Sequence, residues 1–440
     1  MINKIKSPGI WMLLILVVSA LSSFAQQPKS ITLREAINLG LTNSHLLKNQ
    51  QAKIEEATAA VKEATERKLP DFKVSGSYLY LPFKPNIQMK SDSAGNGGGG
   101  PNVNQVVYGS ANVSVPIFTG GKLKYAIQSA KYLEEASKLD AEENRDAVIL
   151  NIVNAYANLY KAESTVALVN ENLLQANQRV KDFTNLEKNG LLPRNDLLKA
   201  ELQSSNAELM LLDAESNFKI TSVNMALMLG LPEQSVLKPD SASLQPGGTI
   251  VTMEEYEQTA LAKRTDISAL ALRKKAAELG IQSVRAEYYP NLALTGGYVA
   301  AHIPGFLTVT NAVNVGVGVQ YNLSSLWKTK SKISQAEARA KQITASQDQL
   351  NDETRMKVNR AYQEYLVSQK KIQVYRKAVE QAQENYRITK NKYDNALATT
   401  TDLLDADIAQ LQTKLNVSNA TADAVVAYNR LLQTAGIINN

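Results

Sequence analysis

The chain has 440 residues, a net charge of +6, no cysteine and only two histidines, His45 and His302. No cysteine means no disulfide, no lipid anchor through a cysteine, and no zinc site of the usual His/Cys type. The charge is mild and forms no basic tract interleaved with aromatics, so nucleic acid is not an expected partner; no metal site or cofactor is expected either.

Residues 1–25 open with Lys4 and Lys6, continue as an apolar run over 9–21 and end in Ser23-Phe24-Ala25, a small-x-small pattern. This reads as a signal peptide. A membrane anchor is the alternative, but the run is short against the ~20 residues a span needs. No later apolar run approaches that length.

From here the chain reads as two copies of one plan. ITLRE at 31–35 returns as VTMEE at 251–255, and LPDFKVSGSY at 69–78 returns as YPNLALTGGY at 289–298, both 220 residues later. The block 183–230 returns at 389–436, offset by 206; the excess in the first copy falls on the glycine-rich AGNGGGGP at 94–101. The first copy is taken as 26–231, a Pro/Ser/Gly-rich linker as 232–250, and the second copy as 251–440.

Each copy is predicted to hold a helix, two strands, a very long helix and a shorter helix. Phe72, Val74, Gly76, Tyr78 and Tyr80 alternate with polar residues, as do Val107, Gly109, Ala111, Val113, Val115 and Ile117. In the second copy Leu292, Leu294, Gly296 and Tyr298 do so, then Val313, Val315, Val317, Val319 and Tyr321. Ten-residue segments with one apolar face fit a transmembrane β-barrel or a soluble hairpin with one buried face. Four strands cannot close a barrel, for which about eight are needed. Open edges do not survive in hydrocarbon, so in a membrane several chains would share one barrel.

The long helices carry the clearest signal. Val148, Ile152, Ala155, Leu159, Ala162, Val166, Val169, Leu173, Ala176, Val180 and Phe183 alternate spacings of four and three. Ile372, Tyr375, Val379, Ala382, Tyr386, Thr389 and Tyr393 do the same, followed by Leu404, Ile408, Leu411, Leu415, Ser418, Ala422 and Val425. This is a coiled-coil pattern. A helix over 122–188 would be ~100 Å long at 1.5 Å per residue.

NGLLPRNDLLKAE (189–201) and NALATTTDLLDAD (395–407), with the paired openings ITLREA and VTMEEY, the corners Pro70 and Pro290, and PIFTGGK (116–122), resemble the TolC family of outer-membrane efflux proteins. The resemblance covers essentially all of the chain after residue 25. It implies a mainly α fold with a transmembrane β-barrel portion: a trimeric α-helical barrel continuing from a shared barrel of twelve strands, four per chain. It further implies an exit duct, in the outer membrane of a diderm bacterium and extending into the periplasm, of a tripartite efflux or type I secretion system. Such a duct passively conducts drugs, small molecules or proteins. The implied partners are two further copies of the chain, outer-membrane lipid, a periplasmic adaptor and an inner-membrane transporter of RND, ABC or MFS type. The rival reading is a periplasmic or surface coiled-coil scaffold that conducts nothing. No Ser/His/Asp set, phosphate loop or cofactor fingerprint points to an enzyme.

The resemblance places the gate at the tips, with Asp402, Asp405, Asp196 and Tyr393 as the candidate constriction residues. Asp402 and Asp405 are three apart and share a helix face, so in a trimer they would form a ring of six carboxylates, a usual device for cation selectivity. Asp402 is equally suited to starting a helix after Thr399-Thr400-Thr401, as Asp196 is in the first copy. Lys199 stands where the second copy has Asp405. Tyr393 matches the family's Tyr-x-x-Gly, but Ala396 stands at the Gly and Ala398 at a following Arg; Arg194 is the cation available in the first copy. The tips Gly190, Leu191, Leu192, Pro193, Arg194 and Asn395, Ala396, Leu397, Ala398, Thr399 are the expected adaptor contacts.

Overall fold

The structure, a computed structural model, describes residues 29–83, 103–244, 247 and 250–438. The expected leader at 1–25 and the glycine-rich loop at 94–101 lie outside the described residues. In chain order the elements are β1 (Lys29–Ile31), α1 (Leu33–Asn43), α2 (His45–Glu66), β2 (Asp71–Tyr80), β3 (Gln105–Phe118), α3 (Lys122–Lys188) and α4 (Arg194–Leu229). Then come β4 (Leu237–Pro239), α5 (Met253–Lys263), α6 (Thr265–Arg285), β5 (Asn291–Ile303), β6 (Leu307–Gln320), α7 (Ser325–Asp394) and α8 (Thr400–Thr434). The helices α3 and α7 have 67 and 70 residues. No helix among the described residues is long and apolar enough to cross a membrane.

The chain forms two compact units. One joins the residues up to Asn49 with Glu142–Arg264 and Asp352 onward; the other is Gln50–Ala141 with Thr265–Asn351.

In the first unit the α3 stripe forms the core. Val148, Ile152, Ala155, Leu159, Ala162, Val169, Ala176 and Phe183 are all buried. Each large side chain withdrawn from water there contributes about 1.5–3 kcal/mol. Ala200, Ala207 and Ala214 bury the matching face of α4 at intervals of seven, small enough for close helix approach. Ile408 departs from the expected α8 stripe and is exposed.

The opening helix of each copy is interrupted rather than continuous, at Ser44 and Arg264. Each break supplies a cap. Asn43 Nδ2 donates to the Leu229 carbonyl at the end of α4 (2.8 Å), and Arg264 Nη1 donates to the Thr434 carbonyl at the end of α8 (3.0 Å). These carbonyls have no intrahelical partner, so buried helix ends need such donors. The stretch 232–250, expected as a linker, carries β4, which pairs in parallel with β1. The fully buried Tyr156 ties the two together: its hydroxyl donates to the Ile31 carbonyl (2.9 Å) and accepts from the Asp240 amide (2.9 Å).

In the second unit the four strands form one antiparallel sheet, ordered β2-β3-β5-β6. Its register aligns the alternating residues into rows. Phe72, Val113, Gly296 and Val315 lie side by side, as do Val74, Ala111, Tyr298 and Val313. The adjacent row on the other face is Lys73, Asn112, Gly297 and Asn314. One face is therefore apolar and the other polar, because side chains alternate along every strand. The apolar face is bare: Phe72 is 75% and Val315 79% exposed. Among the described residues β2 and β6 each pair on one side only.

The corner between β3 and α3 turns on Gly120, at φ +60°, where a Cβ would stand 2.8 Å from the Ala286 carbonyl oxygen. Only glycine fits there without displacement. Beside it, Glu287 accepts from Lys122 (3.5 Å) and Lys332 (2.6 Å), the latter bond above all holding its carboxyl below the usual range.

Candidate functional site at the helical hairpin tips

Both tips lie in the first unit and are built alike. At the end of α3 the Gly190 amide donates to the Glu187 carbonyl and the Leu191 amide to the Leu186 carbonyl, both at 2.9 Å. At the end of α7 the Ala396 amide donates to Tyr393 (2.9 Å) and the Leu397 amide to Lys392 (2.7 Å). This pair of bonds is a Schellman turn, which needs a left-handed residue at its centre. Gly190 has φ +71° and Ala396 φ +58°. The second tip thus places a Cβ where the first has none.

The helix starts differ. Thr399 caps α8 in a full capping box: its amide donates to Asp402 Oδ2 (2.8 Å) and its hydroxyl accepts from the Asp402 amide (3.2 Å). The Thr399 hydroxyl, also bonded to Asp402 Oδ2 (2.7 Å), and then its amide hold the Asp402 carboxyl below the ordinary range. Asp402 is therefore the third residue of the helix, reaching back to the cap. Pro193 caps α4 without a side-chain bond, and Asp196 instead pairs with Lys199 (3.2 Å). Lys199 also donates to Thr401 Oγ1 (3.3 Å), so the residue opposite Asp405 in the sequence joins the two tips.

Asp405 is exposed and shares the outward face of α8 with Asp402, whereas Leu403, Leu404, Ala406 and Asp407 turn inward. Tyr393 is a packing residue: its ring stacks on Phe183 with centroids 5.7 Å apart, against Leu197, Ala200, Val180 and Leu192. Thr400 donates to its hydroxyl at 3.5 Å. Arg194 faces Glu187 of its own hairpin (4.0 Å) and does not reach the second tip. Leu191 and Leu397 are exposed at the extremities, with Pro193, Asn395, Ala396 and Thr399. Leu192 and Ala398 are half-buried.

The structure adds a constellation that the sequence did not single out. Asp407, 1% exposed, accepts from Arg179 Nη1 (3.0 Å) and from Asn172 Nδ2 (3.4 Å) through the same oxygen, Oδ2. Arg179 Nη2 also donates to the Tyr386 hydroxyl (3.4 Å). Burial would lower the Arg179 pKa, but the Asp407 carboxylate and the phenol outweigh it and raise it. One ion pair thus joins α3, α7 and α8. The signal was there: Asn172 and Arg179 lie one heptad apart beside Leu173 and Val180, at positions that the stripe buries.

The family model "Outer membrane efflux protein" matches residues 36–231 and 257–437. Outer membrane efflux protein BepC of Brucella suis biovar 1 (strain 1330) is 22% identical over 325 residues, 73% of this chain and 70% of that protein. A nodulation protein T of Rhizobium leguminosarum bv. trifolii is 22% identical over 399 residues, 86% of this chain and 80% of that one. Among solved structures, the outer-membrane channel OprN superposes with TM-score 0.75 at 18% identity, covering 92% of this chain and 90% of its own. CusC gives 0.77 at 17%, with 94% and 95% covered, and VceC of Vibrio cholerae 0.73 at 20%, with 92% and 96% covered. At such identities the structural likeness shows the fold, helical columns with a β-portion.

Proposed function

The chain belongs to the outer membrane efflux protein family, and from that premise we propose that it is the exit duct of a tripartite efflux or type I secretion system, working as a homotrimer. Its place is the outer membrane, and its class is the efflux channel, not an enzyme.

The observation that carries the trimer is the sheet with two unpaired edges and a bare apolar face. In hydrocarbon every backbone amide and carbonyl needs a partner, so β2 of one copy would pair with β6 of the next. Three copies supply twelve strands, above the roughly eight that a barrel requires. In the first unit a second unsatisfied surface supports the same reading. Leu198, Leu202, Leu209 and Leu212 on α4 follow the coiled-coil spacing, yet all are about half-exposed or more in the single chain.

Within this duct Asp402 and Asp405 line the periplasmic constriction. The exposed tips, led by Leu191 and Leu397, meet a periplasmic adaptor coupled to an inner-membrane transporter of RND, ABC or MFS type, which sets the cargo. The domain plan remains two copies, 26–231 and 251–440, behind a signal peptide at 1–25.

The test is direct. The protein should fractionate with outer membranes, need detergent, run as a trimer and conduct ions in a planar bilayer. A water-soluble monomer without conductance would overturn the reading. Cysteines at Leu191 and Leu397 should cross-link to the adaptor; failure at both would remove the tips from that role.

A further inference from the structure

Among the described residues five of the eight α-helices place an acid in the first turn, and α2, α3 and α7 do not. The N-terminus of a helix carries partial positive charge and favours carboxylates. Glu35, Asp196, Glu254 with Glu255, Asp266 and Asp402 occupy the first turns of α1, α4, α5, α6 and α8. The two helices that begin where the sheet ends do the opposite. Neither α3 nor α7 has an acid in its first turn. Instead α3 opens with Lys122 and Lys124, and α7 carries Lys328, Lys330 and Lys332, with no acid in 116–126 or 321–332.

Glu287 bridges Lys122 and Lys332 and neutralises that inner pair only in part. Lys124, Lys328 and Lys330 are exposed, and no carboxylate among the described residues pairs with them. Apolar surface adjoins these cations. Trp327 is 64% exposed beside Leu323 and Leu326, and Tyr321 continues the alternation of Val313, Val315, Val317 and Val319 from the sheet. Tryptophan with lysine at the edge of a lipid-facing surface is the make-up of a membrane interface.

We propose that this rim binds the anionic headgroups of phospholipids in the leaflet on the helix side of the sheet. Phosphates there would meet the lysines and the helix N-termini together, restoring the negative charge that both helix starts lack. The occupant is lipid because the cations are continuous with the bare apolar sheet face. The inference rests on the outer-membrane reading above.

The full-length protein would be placed in nanodiscs of phosphatidylethanolamine, with and without phosphatidylglycerol. The melting temperature should rise with phosphatidylglycerol, and salt should shrink the rise by screening. The variant K124Q/K328Q/K330Q should lose the rise while keeping the melting temperature seen in phosphatidylethanolamine alone. Equal melting temperatures in both lipids, an undiminished rise in the variant, or the same rise with inorganic phosphate would overturn the proposal. Trp11 and Trp327 are the only tryptophans. Trp11 falls within the expected signal peptide, so in the processed protein lipids brominated near the headgroup should quench the fluorescence of Trp327. Resistance to these lipids, through cover by a second copy or exposure to an aqueous lumen, would also overturn it. Failure to enter nanodiscs at all would instead defeat the outer-membrane reading.

Discussion

Arg179 of α3 and Asp407 of α8 form a buried ion pair at 3.0 Å, with side chains 9% and 1% exposed. Its second oxygen, Oδ1, is buried without a partner among the described residues. The pair is therefore under-satisfied, and its worth lies in holding helices in register rather than in net stability. Asp407→Ala would leave a guanidinium buried and unpaired, at a cost of about 3–5 kcal/mol. R179M/D407L should recover most of that loss. Thermal unfolding in detergent reads both; equal losses in the single and double variants would refute the pairing.

Ala396 predicts a gain. A non-glycine residue in the left-handed region costs about 1–2 kcal/mol, and Ala396 sits there at φ +58°. Ala396→Gly should stabilise the second tip by about 1 kcal/mol, less the entropy glycine brings to the unfolded chain. Gly190→Ala should destabilise the first tip similarly and by backbone strain alone, since nothing lies within 4 Å of the added Cβ. A loss in the first variant would mean that the turn relaxes in the assembled duct.

Asp402 and Asp405 can be separated because only one of them caps. Asp405→Ala should raise single-channel conductance and weaken block by divalent cations while leaving the helix start intact. Asp402→Ala should do the same and also lower stability. Unchanged block in the double variant would remove the pair from the constriction.

The acid side of the pH profile follows from the capping box. The Thr399 hydroxyl and amide depress the Asp402 carboxyl. A depressed carboxylate contributes fully above its unfolded value of about 3.9 and loses that contribution as pH falls through the lower folded value. Asp402→Asn should therefore flatten part of the acid-side stability loss. Neighbouring carboxylates in a trimeric ring would push the other way, raising the apparent value. Titration of divalent block against pH, in wild type and in Asp405→Ala, measures which influence governs the assembled duct.

The leucine row on α4 predicts assembly. L202K/L209K places cations where a neighbouring copy would pack and should convert trimers to monomers on native mass measurement. Persistent trimers would move the interface elsewhere.

The sequence by itself determined the four sheet strands and the long helices, but not the breaks at Ser44 and Arg264 or the pairing of β1 with β4. Periodicity of two marked β2, β3, β5 and β6, and alternating four-three spacing marked α3 from Val148 to Phe183, because those periods are fixed by backbone geometry whatever the chain packs against. The tips too were legible, since Gly190, Pro193 and Thr399 act on their own few neighbours. What required the tertiary structure was every pairing across distance. Tyr393 carried the same letter as a family gate residue, but only packing against Phe183 assigned it to the seam between hairpins. Asp407 looked like one more acid on a coiled coil until α3 brought Asn172 and Arg179 to it across more than two hundred residues. Capping and periodicity are local and are written in consecutive residues. The burial of a charge and the choice of its partner depend on which helices meet, and that is decided only when the whole unit closes.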